Sequence, residues 1–161
     1  MAQAIALLII TVLTVADQLL KLLIESRLKP VGSINVISNV FQLHYIENTG
    51  AAFSLFAGKT YLLAVFTTVA IAVGLFALMT KRIKSKFLYF CITLIIAGGI
   101  GNLIDRVFRG YVIDYLEFLF VNFAVFNFAD CLVTVGALLV IGYLIWDMIQ
   151  DGKKKKESGR E

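Results

Sequence analysis

The chain has 161 residues, of which 60% are hydrophobic and 16% are charged, with 15 Lys and Arg against 11 Asp and Glu. Soluble domains hold about 45–50% apolar and about 25% charged residues, so this composition excludes a disordered chain, a coiled coil and an ordinary soluble domain. The net charge of +4 does not indicate nucleic-acid binding, because the basic residues collect directly after long apolar runs. Basic anchors of membrane helices occupy such positions.

Four segments are apolar and long enough to span a bilayer, which takes about 20 residues. They cover about residues 4–24, 60–80, 87–106 and 127–148. We therefore predict an all-α integral membrane protein in which residues 1–161 form a single membrane domain with four transmembrane helices.

The distribution of basic residues predicts the orientation. Lys81, Arg82, Lys84 and Lys86 lie between the second and third spans without an acid, and the tail 149–161 is also basic. The positive-inside rule places both segments in the cytoplasm. Both termini are then expected in the cytoplasm, and the two remaining connections face outward.

The first outer connection has the pattern of a small sheet. Residues Phe41–Tyr45 alternate apolar and polar side chains, and residues 31–36 alternate loosely in the same way. A period of two is typical of a half-buried strand. We predict an extracytoplasmic β-sheet cradle over about residues 29–58, with His44 as a surface strand residue. The second outer connection, residues 110–126, is rich in aromatic residues, which favour the bilayer interface.

Polar residues at membrane depth are costly and commonly functional. Asp17 and Lys21 are four positions apart in the first span, so they share a helix face and can pair. The alternative to a functional role is a structural ion pair that anchors the helix near the outer interface.

The third span ends in a stretch with three glycines at 98, 99 and 101, which allow another helix or a ligand to approach closely. Asn102 and Arg106 follow on one helix face. Helix packing with an arginine that reaches the interface is the alternative reading of this pair. Arg109 is expected to be an interfacial anchor.

Two carboxylates stand out near the outer surface. Asp114 lies in an apolar setting close after the third span, and Asp130 lies at the start of the fourth. Either acid alone could have a structural role, such as complementing a helix N-terminus. Together, two carboxyls at one depth in apolar surroundings can share a proton and divide the acid and base roles.

The sequence lacks the residue patterns that other types of catalytic or cofactor-binding site require. The chain has one histidine and two cysteines, Cys91 and Cys131, both inside apolar runs. No histidine-rich metal site, P-loop, dinucleotide fingerprint or nucleophile elbow is present. We predict no metal and no cofactor. A proton-coupled transporter and a structural membrane subunit remain as alternatives to an enzyme. A transporter would need polar residues along a path through the bilayer, and the second span offers almost none.

The chain resembles the lipoprotein signal peptidase (signal peptidase II) family of bacteria over nearly its whole length. Five motifs in chain order carry the resemblance: Asp17–Lys21, Glu47–Ser54, Gly98–Arg106, Val112–Tyr115 and Phe126–Asp130. The resemblance implies an aspartyl endopeptidase with Asp114 and Asp130 as catalytic residues. It implies substrate-binding roles for Asn48, Gly50, Asn102, Arg106 and Asn127, and supporting roles for Asp17, Lys21, Asp105 and Ala129.

The same resemblance implies the substrate and the location. The substrates would be prolipoproteins whose cysteine carries diacylglycerol, and the cut would fall just before that cysteine. Membrane lipid and cyclic-peptide inhibitors of the globomycin type are the other expected partners. The enzyme would lie in the bacterial cell membrane as a multi-pass protein, with its active site at the extracytoplasmic face.

Overall fold

The computed structural model describes residues 2–50, 56, 58–80 and 82–158, with the backbone alone for 153–158. Ala51–Ser54 of the second motif and Lys81 of the basic loop therefore lie outside the described residues. The described elements are, in chain order, α1 (Ala2–Arg27), β1 (Ser33–Ile37), β2 (Phe41–Asn48), α2 (Thr60–Met79), α3 (Lys86–Phe108), β3 (Val112–Phe118) and α4 (Phe128–Ser158).

The four helices are the predicted membrane spans. Each is long and apolar enough to cross a bilayer, which confirms four spanning helices in a multi-pass membrane protein. The helix α4 runs for 31 residues, about 46 Å at ~1.5 Å per residue, and so exceeds a hydrocarbon core of about 30 Å. It continues through the lysine-rich segment expected to be a tail, because lysine is a good helix former.

The helix α3 is the centre of the bundle, with α1, α2 and α4 packed around it. Two glycines bring α3 and α4 together. A Cβ atom at Gly98 would collide with the carbonyl oxygen of Ala129, and one at Gly136 would lie 2.9 Å from the carbonyl oxygen of Cys91. The two backbones thus approach to a separation that any larger residue would prevent.

The three strands form one antiparallel sheet in the order β1-β2-β3. The strand β2 confirms the strand predicted from the sequence alternation, although the burial of its side chains is even rather than alternating. His44 lies on it with its side chain 39% exposed. The strand β3 is an addition to the elements that the sequence predicts, which include only an aromatic connection over this segment. Its β-branched and aromatic residues suit a pleated surface, and pairing with β2 places Asp114 opposite Ile46.

The sheet lies at the end of the bundle where α1 and α3 end and α4 begins. A cluster of Leu28, Ile113 and Tyr115 packs the sheet against these helices. All the side chains of β1 are exposed, which leaves Ile34, Val36 and Ile37 on the outer surface. The packed edge of the sheet, β3, is the one that carries Asp114.

Candidate active site

Asp114 and Asp130 meet at one cavity, as the sequence predicted for a carboxyl pair. Asp114 is 2% exposed on β3, whereas Asp130 lies half-buried in the first turn of α4. Both line a cavity of about 520 Å³. The segment between β3 and α4 folds back, with Phe126 bonded to the backbone of Leu116, so β3 and the start of α4 lie side by side.

Asn127 connects the two carboxyls. Its side-chain oxygen accepts a hydrogen bond from the backbone N–H of Asp130 at 2.9 Å, and its own N–H donates to Asp130 Oδ2 at 3.1 Å. This reciprocal pair is a capping box that begins α4. The side-chain nitrogen of Asn127 donates to Asp114 Oδ1 at 2.7 Å. One residue therefore caps a helix and holds both acids in place.

Asn48 holds Asp114 from the other side. Its side-chain nitrogen donates to Asp114 Oδ2 at 2.8 Å, and its oxygen accepts from the N–H of Gly50 at 2.8 Å. Gly50 also accepts a bond of 3.4 Å from Arg106 Nη2. The end of β2 is thus tied to both the carboxyl on β3 and the arginine on α3.

Arg106 lines the cavity. Its Nε atom is buried and has no hydrogen-bond partner among the described residues. A buried donor without a partner is costly, and it lies where a ligand in the cavity can supply an acceptor. The substrate-binding role that the resemblance implies for Arg106 stays a prediction.

Asn102 joins Asp130 to a buried ion cluster. Its side-chain nitrogen donates to Asp130 Oδ1 at 2.7 Å, and its oxygen accepts from Lys21 Nζ at 2.9 Å. That oxygen also accepts from the side chain of Asn127 at 3.0 Å. Because both the nitrogen and the oxygen of the Asn102 amide are hydrogen-bonded, the amide is held in one orientation, with its N–H group toward Asp130.

Lys21 makes contacts well beyond the helix-face pair predicted from its spacing. Its ammonium lies 2.9 Å from Asp17 Oδ2, as expected, and also 2.8 Å from Asp105 Oδ2. All three side chains are fully buried. With Asn102, all three ammonium donors are used, which is the condition under which a buried charge is tolerated.

Asp17 and Asp105 also accept hydrogen bonds from backbone groups, Asp17 with its second oxygen and Asp105 with the oxygen that contacts Lys21. Asp17 Oδ1 accepts from the N–H of Ala129 at 3.1 Å, and Asp105 Oδ2 accepts from the N–H of Ile113 at 3.2 Å. The first bond satisfies an otherwise unpaired N–H at the start of α4. The cluster thus fixes the segments that carry Asp114 and Asp130.

Gln18 and Arg109 belong to this cluster and were not assigned to it from the sequence. Gln18 donates to Asp105 Oδ1 and to the carbonyl oxygen of Gly101. Arg109 was expected to be an interfacial anchor, but its side chain is only 18% exposed and bonds to Asp105 at 2.6 Å. The arginine brings a second positive charge to the two acids of the cluster.

The surroundings of Asp114 favour its protonated form. Burial raises the pKa of Asp114 to about 7, and the negative charge of Asp130 acts in the same direction. The bonds from Asn48 and Asn127 oppose the shift. A carboxyl with a pKa near neutrality can hold a proton at the pH at which it works.

The rest of the cavity is apolar. Its walls include Phe118, Phe123 and Val135, which are also exposed on the outside of the protein. The apolar walls of the cavity therefore continue onto the exposed apolar surface of β3, α4 and the segment between them. Cys131 also lines it. Among the described residues, no group of three or more His, Cys, Asp or Glu side chains is placed to hold a metal ion.

Comparison with known proteins identifies relatives over most of the chain. The family model for signal peptidase (SPase) II matches residues 9–146. A lipoprotein signal peptidase of Streptococcus thermophilus is 42% identical over 130 residues, covering 81% of this chain and 84% of the relative. One from Caldanaerobacter subterraneus subsp. tengcongensis is 41% identical over 140 residues, covering 87% and 94%.

A solved structure has the same fold. It is described as a bacterial membrane enzyme structure obtained by the in meso method at 2.3 Å resolution. The two chains superpose with a TM-score of 0.81 at 28% sequence identity, covering 90% of each. The helical bundle and the sheet are therefore shared with a membrane enzyme.

Proposed function

The chain belongs to the signal peptidase II family and is a peptidase, and from that premise we propose that Asp114 and Asp130 cleave prolipoproteins. The cut would fall just before a cysteine that carries diacylglycerol, and the signal peptide would be released. The observation that carries the assignment is the shared bonding of both carboxyls to Asn127 at the wall of one cavity.

We assign the base role to Asp130. It lies in the first turn of α4 and accepts an N–H bond, and the positive end of a helix dipole stabilises a carboxylate. The ionised Asp130 takes a proton from a water molecule, whose oxygen attacks the scissile carbonyl carbon. Asp114, with a pKa of about 7, carries a proton and donates a hydrogen bond to the carbonyl oxygen. The departing amine of the cysteine then receives a proton from the pair.

The other polar groups orient the substrate. The unpartnered Nε of Arg106 supports a bond to a backbone carbonyl of the bound peptide. The side chains of Asn48, Asn102 and Asn127 hold the two carboxyls at fixed positions, and such positioning lowers the entropic part of the barrier. Asp17, Lys21, Asp105 and Ala129 support the site through the ion cluster.

The apolar part of the cavity supports recognition of a lipidated substrate. Its walls continue onto the exposed apolar surface of the protein, so the acyl chains of the substrate remain in the bilayer while the peptide enters. Each buried CH₂ contributes about 0.8 kcal/mol to membrane partitioning, which confines the substrate to the depth of the carboxyls. Cyclic-peptide inhibitors of the globomycin type would occupy the same 520 Å³ cavity.

The experiment is a cleavage assay on purified protein. A diacylglyceryl-modified prolipoprotein is incubated with the wild type, with Asp114→Asn and with Asp130→Asn, and release of the signal peptide is followed. Asparagine has nearly the shape of aspartate but cannot act as acid or base, so each variant should lose at least about 100-fold in rate. The double variant should be no worse than either single one, because the pair acts as a unit.

The matched control is Asp147→Asn, an exposed acid on the same helix as Asp130. It should cleave at the wild-type rate. Substantial cleavage by either variant of the pair would remove the catalytic assignment. Equal cleavage of a prolipoprotein lacking the lipid would leave the carboxyls in place and overturn the proposed lipid recognition.

A further inference from the structure

A second cavity lies at the opposite end of the bundle from the carboxyl pair. It measures about 530 Å³ and lies between the first third of α1 and the start of α3. Its walls are largely apolar and include Ile5, Ile9 and Phe90. Ile5 and Phe90 are also about half exposed on the outside of spanning helices, so the cavity is open to the lipid side of the bundle.

The rim of this cavity is positively charged. Lys84 and Lys86 are among the lining residues, which include no acid. The segment 81–86 carries four basic residues and no acid. The occupant favoured by this rim is an anion, and the apolar walls require that it also carry a hydrocarbon part.

Tyr89 supplies an unused hydrogen-bond donor at the wall of the cavity. It is a lining residue, and its hydroxyl oxygen is buried with no hydrogen-bond partner among the described residues. A buried hydroxyl left unpaired is costly, so a ligand acceptor at this point would remove that cost. Tyr89 lies four residues from Ser85, about 6 Å deeper along α3.

Ser85 lies at the level of the lysines. It caps α3 by accepting a hydrogen bond from the N–H of Leu88, which leaves its own hydroxyl proton available for donation. The interfacial layer of each leaflet is about 5–7 Å thick. A step of about 6 Å along α3 lies within the thickness of this layer, so one lipid headgroup with its ester region can extend past both residues.

We propose that this cavity binds one anionic glycerophospholipid. The phosphate lies against Lys84, Lys86 and Ser85, an ester carbonyl accepts a hydrogen bond from the hydroxyl of Tyr89, and an acyl chain lies along Ile5 and Ile9. The lipid joins the N-terminal part of α1 to the start of α3 and so stabilises the basic end of the bundle. This site is independent of the catalytic assignment, since it lies at the other end of the helices.

The test measures lipid binding directly. Purified, delipidated full-length protein in detergent is titrated with phosphatidylglycerol, phosphatidylcholine or inorganic phosphate, and bound lipid is counted by native mass spectrometry. One phosphatidylglycerol should bind at least tenfold more tightly than phosphatidylcholine. The double variant Lys84→Gln/Lys86→Gln should lose at least about tenfold in affinity, and Tyr89→Phe should lose several-fold.

Two further variants separate the cavity from general charge effects. Lys153→Gln/Lys154→Gln removes two positive charges from the lysine-rich segment near the C-terminus and should bind phosphatidylglycerol as the wild type does. Ile5→Trp fills the cavity without changing its charge and should abolish the tight site. Equal binding of both lipids, unchanged binding by Ile5→Trp, or an equal loss in the tail variant would overturn the proposal. If inorganic phosphate displaced phosphatidylglycerol at an equal concentration, the cavity would be a simple anion site. That result would also refute the proposal.

Discussion

Asn127 is the residue on which the geometry of the site depends most. Its side-chain oxygen caps α4, its side-chain nitrogen bonds to Asp114 and Asn102, and its backbone N–H bonds to Asp130. A single amide thus has a folding role and a positioning role at once. The two roles use different atoms, so substitution can separate them.

We expect Asn127→Ser and Asn127→Ala to differ in stability but not in activity. Serine retains an oxygen that can cap α4, whereas alanine does not, so the alanine variant should be less stable by about 0.5–2 kcal/mol. Both lack the nitrogen that orients Asp114, so both should cleave at least tenfold more slowly. Thermal unfolding in detergent and the cleavage assay measure the two effects. Full activity in the serine variant would contradict the positioning role.

The acid role proposed for Asp114 predicts how the cleavage rate depends on pH. The pKa of Asp114 is raised to about 7 by burial and by the charge of Asp130. Below that pH the carboxyl keeps its proton, and above it the proton is lost. We expect kcat/KM to fall about tenfold per pH unit above neutrality, and to fall again at acid pH, where the base also becomes protonated. Initial rates between pH 5 and 9 test this, and a rate that continues to rise through pH 9 would contradict the requirement for a protonated Asp114.

At the scale of elements, α3 sets the positions of the other helices. Its glycines contact α4, and the same helix carries Asn102, Asp105 and Arg106 toward the site. A Cβ atom at Gly101 would lie 2.5 Å from Asp17 Oδ2, so the ion cluster also depends on a small residue. The segment 98–106 of α3 therefore provides both the close packing against α4 and several polar side chains of the site.

Gly98→Ala should therefore be strongly destabilising. The added methyl group would collide with the carbonyl oxygen of Ala129 and lie 2.9 Å from Val133 Cγ2, and a backbone carbonyl cannot move aside as a flexible side chain can. Overpacking of this kind costs about 1–3 kcal/mol. We expect a lower melting temperature in detergent and a slower cleavage rate, since Ala129 adjoins Asp130.

Gly142→Ala is the control on α4. Among the described residues, no atom beyond its own helical backbone and chain neighbours lies within 4 Å of the position its Cβ would occupy, and alanine is the better helix former. This variant should be at least as stable as the wild type and fully active. If Gly98→Ala and Gly142→Ala lowered the stability equally, Gly98 would not be needed for the close approach of α3 to α4.

At the scale of the whole molecule, the two ends of the bundle differ in chemistry. The carboxyls, the ion cluster and the sheet occupy one end, whereas Lys84 and Lys86 lie at the other. The helix α2 between these ends carries no charged residue. This distribution supports a site that works at one membrane surface over a transporter, which needs polar groups along its whole path.

We propose that the sheet end faces outward, and thiol labelling tests this. In a protein with Cys91 and Cys131 replaced, a cysteine at Ser38 should react with an impermeant reagent in intact cells. A cysteine at Lys84 should react only after the membrane is opened. Both positions are exposed in the structure, so protection reports the side of the membrane. Labelling at Lys84 with protection at Ser38 would invert the topology and place both carboxyls in the cytoplasm.

Much of this fold follows from the sequence because its main determinants are local. An apolar run of about 20 residues has a single stable placement in a bilayer, so four spans could be assigned without a structure. Asp114 and Asp130 stand out in the sequence as a candidate carboxyl pair because acids in apolar surroundings are costly and therefore uncommon. The five ordered motifs then identified the family.

Tertiary structure alone decided the contacts between distant segments. The spacing of Asp17 and Lys21 predicted their pairing, but Asp105 reaches the same ammonium from 84 positions further along the chain. The strand β3 forms because β2 provides its hydrogen bonds. Asn127, which caps α4, connects Asp114 to Asp130 only because β3 lies beside the start of α4. Such contacts depend on the packing of whole helices against one another, and local residue patterns do not encode the register of that packing.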